Sequence, residues 1–356
     1  LDIMTNDLYL GIEIGGTKLQ LGVGAGDGSP LVALERRTVD PTRGAAGILD
    51  QMSAAGAALL SRYDVRSIGV GFGGPVNAAT GCVVKSHQIT GWEGAPLRDW
   101  CQTTFGKPTV LGNDCDAAAL AEARFGAGQG RRIVFFITVG TGVGGGLVID
   151  GHLHGSGRPA VAEIGHLRPG LQADRPDDTV ESIASGWGIA AAARARLSGE
   201  VVTPFDSLRS EPRRQNPLQR LKRIADAAEA GEEYAADLWA RCEGDFDRLD
   251  SRAIAQAASD GNELAREVLA HACQALGWAI AQVVTLVAPE VIVIGGGVSL
   301  IGESLFFNPV RAAAQRYVFP PLAGSFEIVP AVLGELVVVH GALALAQLGE
   351  HLPAPT

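Results

Sequence analysis

The stretch Tyr9–Val23, YLGIEIGGTKLQLGV, decides the fold. Apolar residues alternate at period two on both sides of Gly15-Gly16-Thr17, the pattern of a β-hairpin with a half-buried face. Reading outward, Gly44–Tyr63 takes up helical apolar spacing with many alanines, and Ser67–Phe72 (SIGVGF) is a short buried strand ending in Gly73-Gly74-Pro75. Pro108–Gly112 (PTVLG) predicts another buried strand, and Asn113-Asp114 stands where it gives way to a helix over Cys115–Phe125. The chain then repeats its opening: Arg132–Val139 (RIVFFITV) reads as strand, Gly140–Gly146 (GTGVGGG) as glycine turn and Leu147–Asp150 as strand. Glu290–Gly297 (EVIVIGGG) is again strand into glycine turn, followed by a helix over Pro309–Tyr317 and an Ala/Leu-rich helix over Gly341–Gly349. The echo of hairpin and glycine turn near residues 16 and 143 is what a duplicated α/β domain looks like.

With 356 residues, 47% of them hydrophobic, the chain has material for two cores. The boundary is expected near Gly112, giving a small N-terminal domain of residues 1–112 completed by a returning helix, 335–350, and a larger domain of 113–334. The polar stretch Thr203–Arg223 reads as a surface insertion, with Arg213-Arg214 a solvated pair. A formal charge of −10, from 29 Lys+Arg against 39 Asp+Glu with no basic run, excludes wrapping of a nucleic-acid backbone. No export signal opens the chain and no apolar run approaches the roughly 18 residues that span a bilayer, so a cytoplasmic protein without membrane attachment is expected. Five cysteines, Cys82, Cys101, Cys115, Cys242 and Cys273, form no CxxC pair, which predicts reduced thiols and neither a disulfide framework nor a zinc knuckle.

Three glycine clusters each follow a strand, and such turns let backbone N–H groups converge on an anion. Three of them point to a nucleotide. Gly11 to Gly16 has Walker A spacing, but Thr17-Lys18 reverses the required order and a strand follows. Gly140, Gly142 and Gly145 satisfy the dinucleotide fingerprint, yet that motif must open a helix and here strand follows. His152 and His154 lack a third ligand and read as loop residues.

Taken together these residues resemble the ROK family of sugar kinases and related repressors, within the actin-like ATPase superfamily, over nearly the whole chain. Gly15-Gly16-Thr17-Lys18 resembles the first phosphate motif, Gly140–Gly146 the second, Gly295-Gly296-Gly297 the adenosine motif and Gly71–Leu97 the sugar-side loop. The specific matches are Asn113-Asp114 opening NDxxAAALAE, Glu163-Ile164-Gly165-His166, and Glu181 in ESIASG. The resemblance implies an α/β fold of two RNase H-like (actin-like ATPase) domains with an interdomain cleft, and ATP-dependent phosphorylation of a hexose hydroxyl. It implies Asp114 as catalytic base, with Asn113, Glu163, His166, Glu181 and Gly74 on the sugar. ATP falls to Gly15, Gly16, Thr17, Lys18, Thr141, Gly142, Gly296 and Gly297, with Glu13 near Mg2+. Glucose is the expected acceptor, ahead of fructose, mannose, N-acetylmannosamine and allose, and a homodimer is the expected assembly.

The chain departs from the family pattern in four places. Leu167–Val180 has no cysteine where most members carry a zinc-binding cluster, so no zinc is expected. Glu13 stands in place of the usual Asp, Asp116 in place of a common Asn, and His87-Gln88-Ile89 in place of Pro-Asn-Leu. The chain begins just ahead of the first phosphate strand, leaving no room for the winged helix-turn-helix of the repressors. A sugar sensor that keeps the pocket without catalysis is the competing expectation.

Overall fold

The computed structural model describes residues 7–86, 88–155, 158, 160–171, 173–197 and 233–349. The Thr203–Arg223 insertion and His87 lie outside the described residues. Strands β1 (Leu8–Ile14) and β2 (Lys18–Gly24) form the expected hairpin, with Ile12 opposite Leu21 and Glu13 opposite Gln20. β3 (Ala33–Thr38) continues the antiparallel pairing on β2. It is absent from the sequence expectation because its residues are half-buried or exposed and show no apolar period. Helix α1 (Gly44–Leu60) leads to β4 (Val65–Phe72), parallel to β1. After the short pair β5 (Val76–Asn77) and β6 (Cys82–Val83), helix α2 (Leu97–Phe105) leads to β7 (Thr109–Asn113), parallel to β4. The sheet order is β3-β2-β1-β4-β7.

The two faces of this sheet are chemically different. One carries Leu10, Ile12, Ile14, Leu19, Leu21, Ile68, Val70, Phe72 and Leu111 into a core with Ile48 and Met52 of α1 and with Trp92, whose ring meets Phe72 edge-on at 5.1 Å. The other carries Gly11, Glu13, Gln20, Gly22, Ser67, Gly69, Gly71 and Gly112. This second face is not solvated, as a half-buried hairpin would be: the helix Val337–Leu348 lies on it. A Cβ on Gly69 would sit 1.8 Å from the Ala342 carbonyl oxygen, and one on Gly11 would sit 2.7 Å from that of Val339. Ser67 Oγ donates to the Ala346 carbonyl at 2.6 Å.

Helix α3 (Asp114–Phe125) packs against the same C-terminal helix. At the crossing, a Cβ on Gly341 would lie 1.9 Å from the Ala117 carbonyl oxygen. Further along α3, Glu122 is 0% exposed. Its Oε1 accepts from Val332 N and Leu333 N, both at 2.9 Å, and its Oε2 from Ala127 N at 2.8 Å. A buried carboxylate needs such partners, and the two bonds from Val332 and Leu333 tie α3 to the chain just ahead of the C-terminal helix.

The chain divides into two compact units, Leu1–Phe136 with Gly145–Ala162 and Ala331–Thr356, and Ile137–Gly144 with Glu163–Pro330. The division therefore falls later than the expected boundary near Gly112, because α3 packs with the returning helix. A second sheet has the order β10-β9-β8-β11-β12, built from β8 (Ile133–Val139), β9 (Val143–Ile149), β10 (His152–Leu153), β11 (Val291–Gly295) and β12 (Glu327–Pro330). The glycine turn is shorter than the expected Gly140–Gly146, since β9 starts at Val143. Gly146 serves packing instead: a Cβ there would lie 2.6 Å from that of Ala119.

In the second unit, helices α4 (Val180–Ala184) and α5 (Gly186–Leu197) pack with Glu263–Val287, a 25-residue helix capped by Asn262. This helix is long and apolar enough to cross a membrane, but 67% of its most apolar window is buried within the fold. It corrects the expectation that no such segment exists; Arg266, Glu267, His271 and Gln274 interrupt its apolar residues and hide it in the sequence. All five thiols are free, and burial pushes those of Cys101 and Cys273 up to about 12.

An exposed helical Gly→Ala change gains about 1 kcal/mol from helix propensity. Gly341→Ala should instead lose about 3 kcal/mol, because its Cβ meets backbone that cannot rotate away. The urea midpoint of unfolding, compared with wild type, reads the sign directly.

Candidate active site

The first unit gathers its candidate residues where β1, β4 and β7 end. Gly73 N, just past β4, donates to the Ile14 carbonyl at 2.8 Å, and Gly15 N donates to that of Lys18 at 2.9 Å, closing the hairpin turn. A Cβ built on Gly73 would lie 3.5 Å from Asp114 Oδ2 and 3.6 Å from Gly15 Cα. Gly73, read in the sequence only as part of the turn Gly73-Gly74-Pro75, is thus the point on which the Asp114 carboxylate and the glycine turn converge.

Asn113 is the N-cap of α3: its Oδ1 accepts from Cys115 N at 2.8 Å and Asp116 N at 3.3 Å. Its Nδ2 donates to the Gly74 carbonyl at 2.9 Å, pinning the loop after β4. Asp114 is then the first helical residue, and its Oδ1 accepts from Cys115 N at 2.9 Å. The positive end of the helix dipole favours a carboxylate there. Gln88 was anticipated only as part of an altered loop, but its amide lies over the turn, 1.5 Å from where a Gly16 side chain would begin.

Glu13 is 5% exposed. Its Oε1 pairs with Lys18 Nζ at 2.9 Å and its Oε2 accepts from Gln20 Nε2 at 2.7 Å. Among the described residues no group of three or more His, Cys, Asp or Glu side chains could hold a metal ion. Glu13 is a single buried carboxylate, and a magnesium ion held mainly by a nucleotide commonly takes one or two carboxylates and fills its shell with phosphate and water. The cysteine-free Leu167–Val180 segment is tied by Arg168, which donates to the carbonyls of Ala173 and Arg175, and by buried Asp178, whose Oδ2 accepts from Arg175 N at 3.2 Å.

The second unit holds Glu163, His166, Glu181, Thr141, Gly142, Gly296 and Gly297. Glu163 precedes and His166 ends a 3-10 turn, Ile164–His166, whose Gly165 rests on β9: a Cβ there would be 2.0 Å from the Val143 carbonyl oxygen. Val180 N donates to the Leu167 carbonyl at 2.9 Å, which sets α4 and Glu181 beside that turn. Glu181 Oε2 accepts from Val143 N at 2.8 Å, and a Cβ on Gly142 would come within 2.6 Å of it. His166 is exposed and Glu163 half-buried.

Gly296 has φ +89, and its Cβ would lie 2.4 Å from the Val139 carbonyl oxygen. Val298 N donates to that carbonyl at 2.9 Å, and Gly186 N to that of Gly140 at 2.7 Å. These bonds draw the β8–β9 turn, the turn after β11 and the N-terminus of α5 around one cleft of about 920 Å³, lined also by Trp187, Arg194, Asp250 and Leu300. Gly140 and Gly297 have nothing within 4 Å of a built Cβ. Open glycine backbone beside a helix N-terminus suits a phosphate, and exposed Trp187 and Leu300 offer apolar surface to a base. Arg194 is structural, donating to the carbonyls of Phe246, Asp247 and Leu249 at 2.7, 2.9 and 2.8 Å. Trp187, not singled out in the sequence, follows directly on ESIASG.

The chain is similar to known proteins over nearly its whole length. The model of the ROK family matches residues 9–348. A glucokinase of Thermotoga maritima is 27% identical over 94% of this chain and 96% of its own. A glucokinase of Halalkalibacterium halodurans is 30% identical over 95% of this chain and 94% of its own. The crystal structure of a ROK family glucokinase from Streptomyces griseus, in complex with glucose and AMPPNP, is 30% identical with a TM-score of 0.74, over 96% of this chain and 99% of that one. The fold is that of the two-domain actin-like ATPases.

Gly296→Ala places a Cβ in a strained backbone region and against the Val139 carbonyl. Loss of AMPPNP binding by about tenfold or more is expected, read by calorimetry, with the first unit's thiol accessibility unchanged.

Proposed function

Because the chain belongs to the ROK family, we propose that it transfers the γ-phosphoryl group of Mg·ATP to a hexose hydroxyl, with glucose as the preferred acceptor. The observation that carries this reading is the division of labour at the start of α3. Asn113 caps the helix through Cys115 N and Asp116 N, while Asp114 shares Cys115 N through Oδ1 and sets Oδ2 beside Gly73 and the Gly15 turn. A carboxylate is ionised at neutral pH and can accept a hydroxyl proton.

Phosphoryl transfer needs in-line placement and charge stabilisation more than covalent help. The acceptor oxygen bonds to the γ-phosphorus, the bond to the bridging oxygen breaks, ADP leaves, and the hydroxyl proton passes to Asp114. Gly15, Gly16, Thr17 and Lys18, with Thr141, Gly142, Gly296 and Gly297, are the donor-side residues in this reading. Asn113, Gly74, Glu163, His166 and Glu181 are the acceptor-side residues. Hydroxyl recognition by fixed polar groups is selective because a missing partner leaves one of them unpaired. The glucokinase relatives favour glucose.

The first test is coupled ADP release with Mg·ATP against hexoses and N-acetylhexosamines, with a sugar-free control. Strong stimulation by glucose is the expected result. Stimulation by another sugar would replace the acceptor, and sugar binding without any turnover would make the protein a sensor. Asp114→Ala should lower kcat about a thousandfold while sugar affinity, measured by calorimetry, stays within several-fold. Near-normal turnover in that variant would remove Asp114 from its role.

A further inference from the structure

Beneath the Lys18–Glu13 ion pair lies a second polar layer. Gln20 is 2% exposed and faces Glu13 directly across the β1–β2 ladder. Its Nε2 donates to Glu13 Oε2 at 2.7 Å and to the Glu335 carbonyl at 3.2 Å. Its Oε1 accepts from Arg36 Nε on β3 at 2.9 Å. A guanidinium can only donate and a carboxylate only accept, so the amide has a single workable orientation. Flipping it would set oxygen against the carboxylate and N–H against N–H.

Arg36, Gln20 and Glu13 therefore form a polarised chain that fixes one carboxylate oxygen from behind. The other oxygen is held by Lys18, whose side chain is 47% exposed, against 7% for that of Glu13. One partner of Glu13 is buried and locked, and the other is a long, half-exposed cation beside the glycine turn. The carboxylate thus has one buried hydrogen bond from a neutral amide and one half-exposed ion pair.

We infer that Gln20, locked by Arg36, is a positioning residue that holds Glu13 for Mg·ATP, and that Lys18 is the exchangeable partner which a polyphosphate draws away. This rests on the kinase reading above, but only on its nucleotide half. A polyanion at the Gly15–Thr17 turn competes for the Lys18 ammonium, and Glu13, uncovered on one side, keeps its aim because Gln20 does not move. An unsupported Glu13 would instead follow Lys18 and lose its place.

The test is a double-mutant cycle on Mg·ATP binding in the absence of sugar, by calorimetry, using Gln20→Leu, Arg36→Leu and the pair. Loss of outer polar support around a charged ligand site costs about tenfold or more. The expected result is about tenfold weaker binding in Gln20→Leu, a smaller loss in Arg36→Leu, and a double variant no weaker than Gln20→Leu alone. Where Mg·ATP turns over, the KM for Mg·ATP rises while that for sugar is unchanged. Arg36 is exposed, so its variant answers the question even if the buried change impairs folding. Unchanged affinity in both single variants, or losses that multiply in the pair, overturns the relay. Wild-type protein that binds Mg·ATP and shows this coupling but phosphorylates no sugar would sink the kinase reading and leave the relay standing.

Discussion

The carbonyl oxygen of Ala342 stands where a side chain on Gly69 would begin, and that of Ala117 where one on Gly341 would begin. The first unit depends on these approaches of backbone to backbone. Contacts at this range tolerate nothing larger than hydrogen and give no room for rearrangement. They fix the C-terminal helix on the sheet and α3 on the C-terminal helix. The two bonds that Val332 N and Leu333 N donate to Glu122 Oε1 then secure the join, while Ala127 N satisfies the other oxygen locally.

Placement of the candidate base follows. α3 begins where β7 ends, so a helix held in its first turn at Ala117 presents Asn113 and Asp114 at the end of that strand. A capping residue and a carboxylate in adjacent positions could exchange roles in an isolated peptide. Here the bond from Asn113 Nδ2 to the Gly74 carbonyl holds the asparagine in the cap and leaves Asp114 facing Gly73. The glycine face also accounts for Glu13. A carboxylate among bulky apolar side chains would be costly to bury, whereas here Gln20 and Lys18 share its face or its turn and satisfy it.

The second unit reaches its cleft by a related route. Gly296, with positive φ, lets the turn after β11 meet the end of β8, and Gly142 leaves space for the Glu181 carboxylate to reach Val143 N. Gly142 was expected in a phosphate motif and Gly296 in the adenosine motif. Their more immediate effect is to bring segments together, while Gly140 and Gly297 keep open backbone toward the cleft. The same residue type serves two physical ends within one motif, and spacing alone does not separate them.

The sequence by itself determined the element types around Tyr9–Val23, the strand-to-helix passage at Asn113-Asp114 and the family, because period, capping chemistry and motif are local properties of the chain. It carried no trace of β3, whose exposed residues have no apolar period, and it concealed the length of helix Glu263–Val287 behind scattered polar residues. Only the tertiary structure decided that α3 belongs with the returning helix, that Gly73 joins Asp114 to the glycine turn, and that Gln20 and Arg36 stand behind Glu13. Each of these is a contact between residues far apart in the chain or on different strands. Such contacts depend on which backbones can approach closely enough, and that is settled by packing in three dimensions.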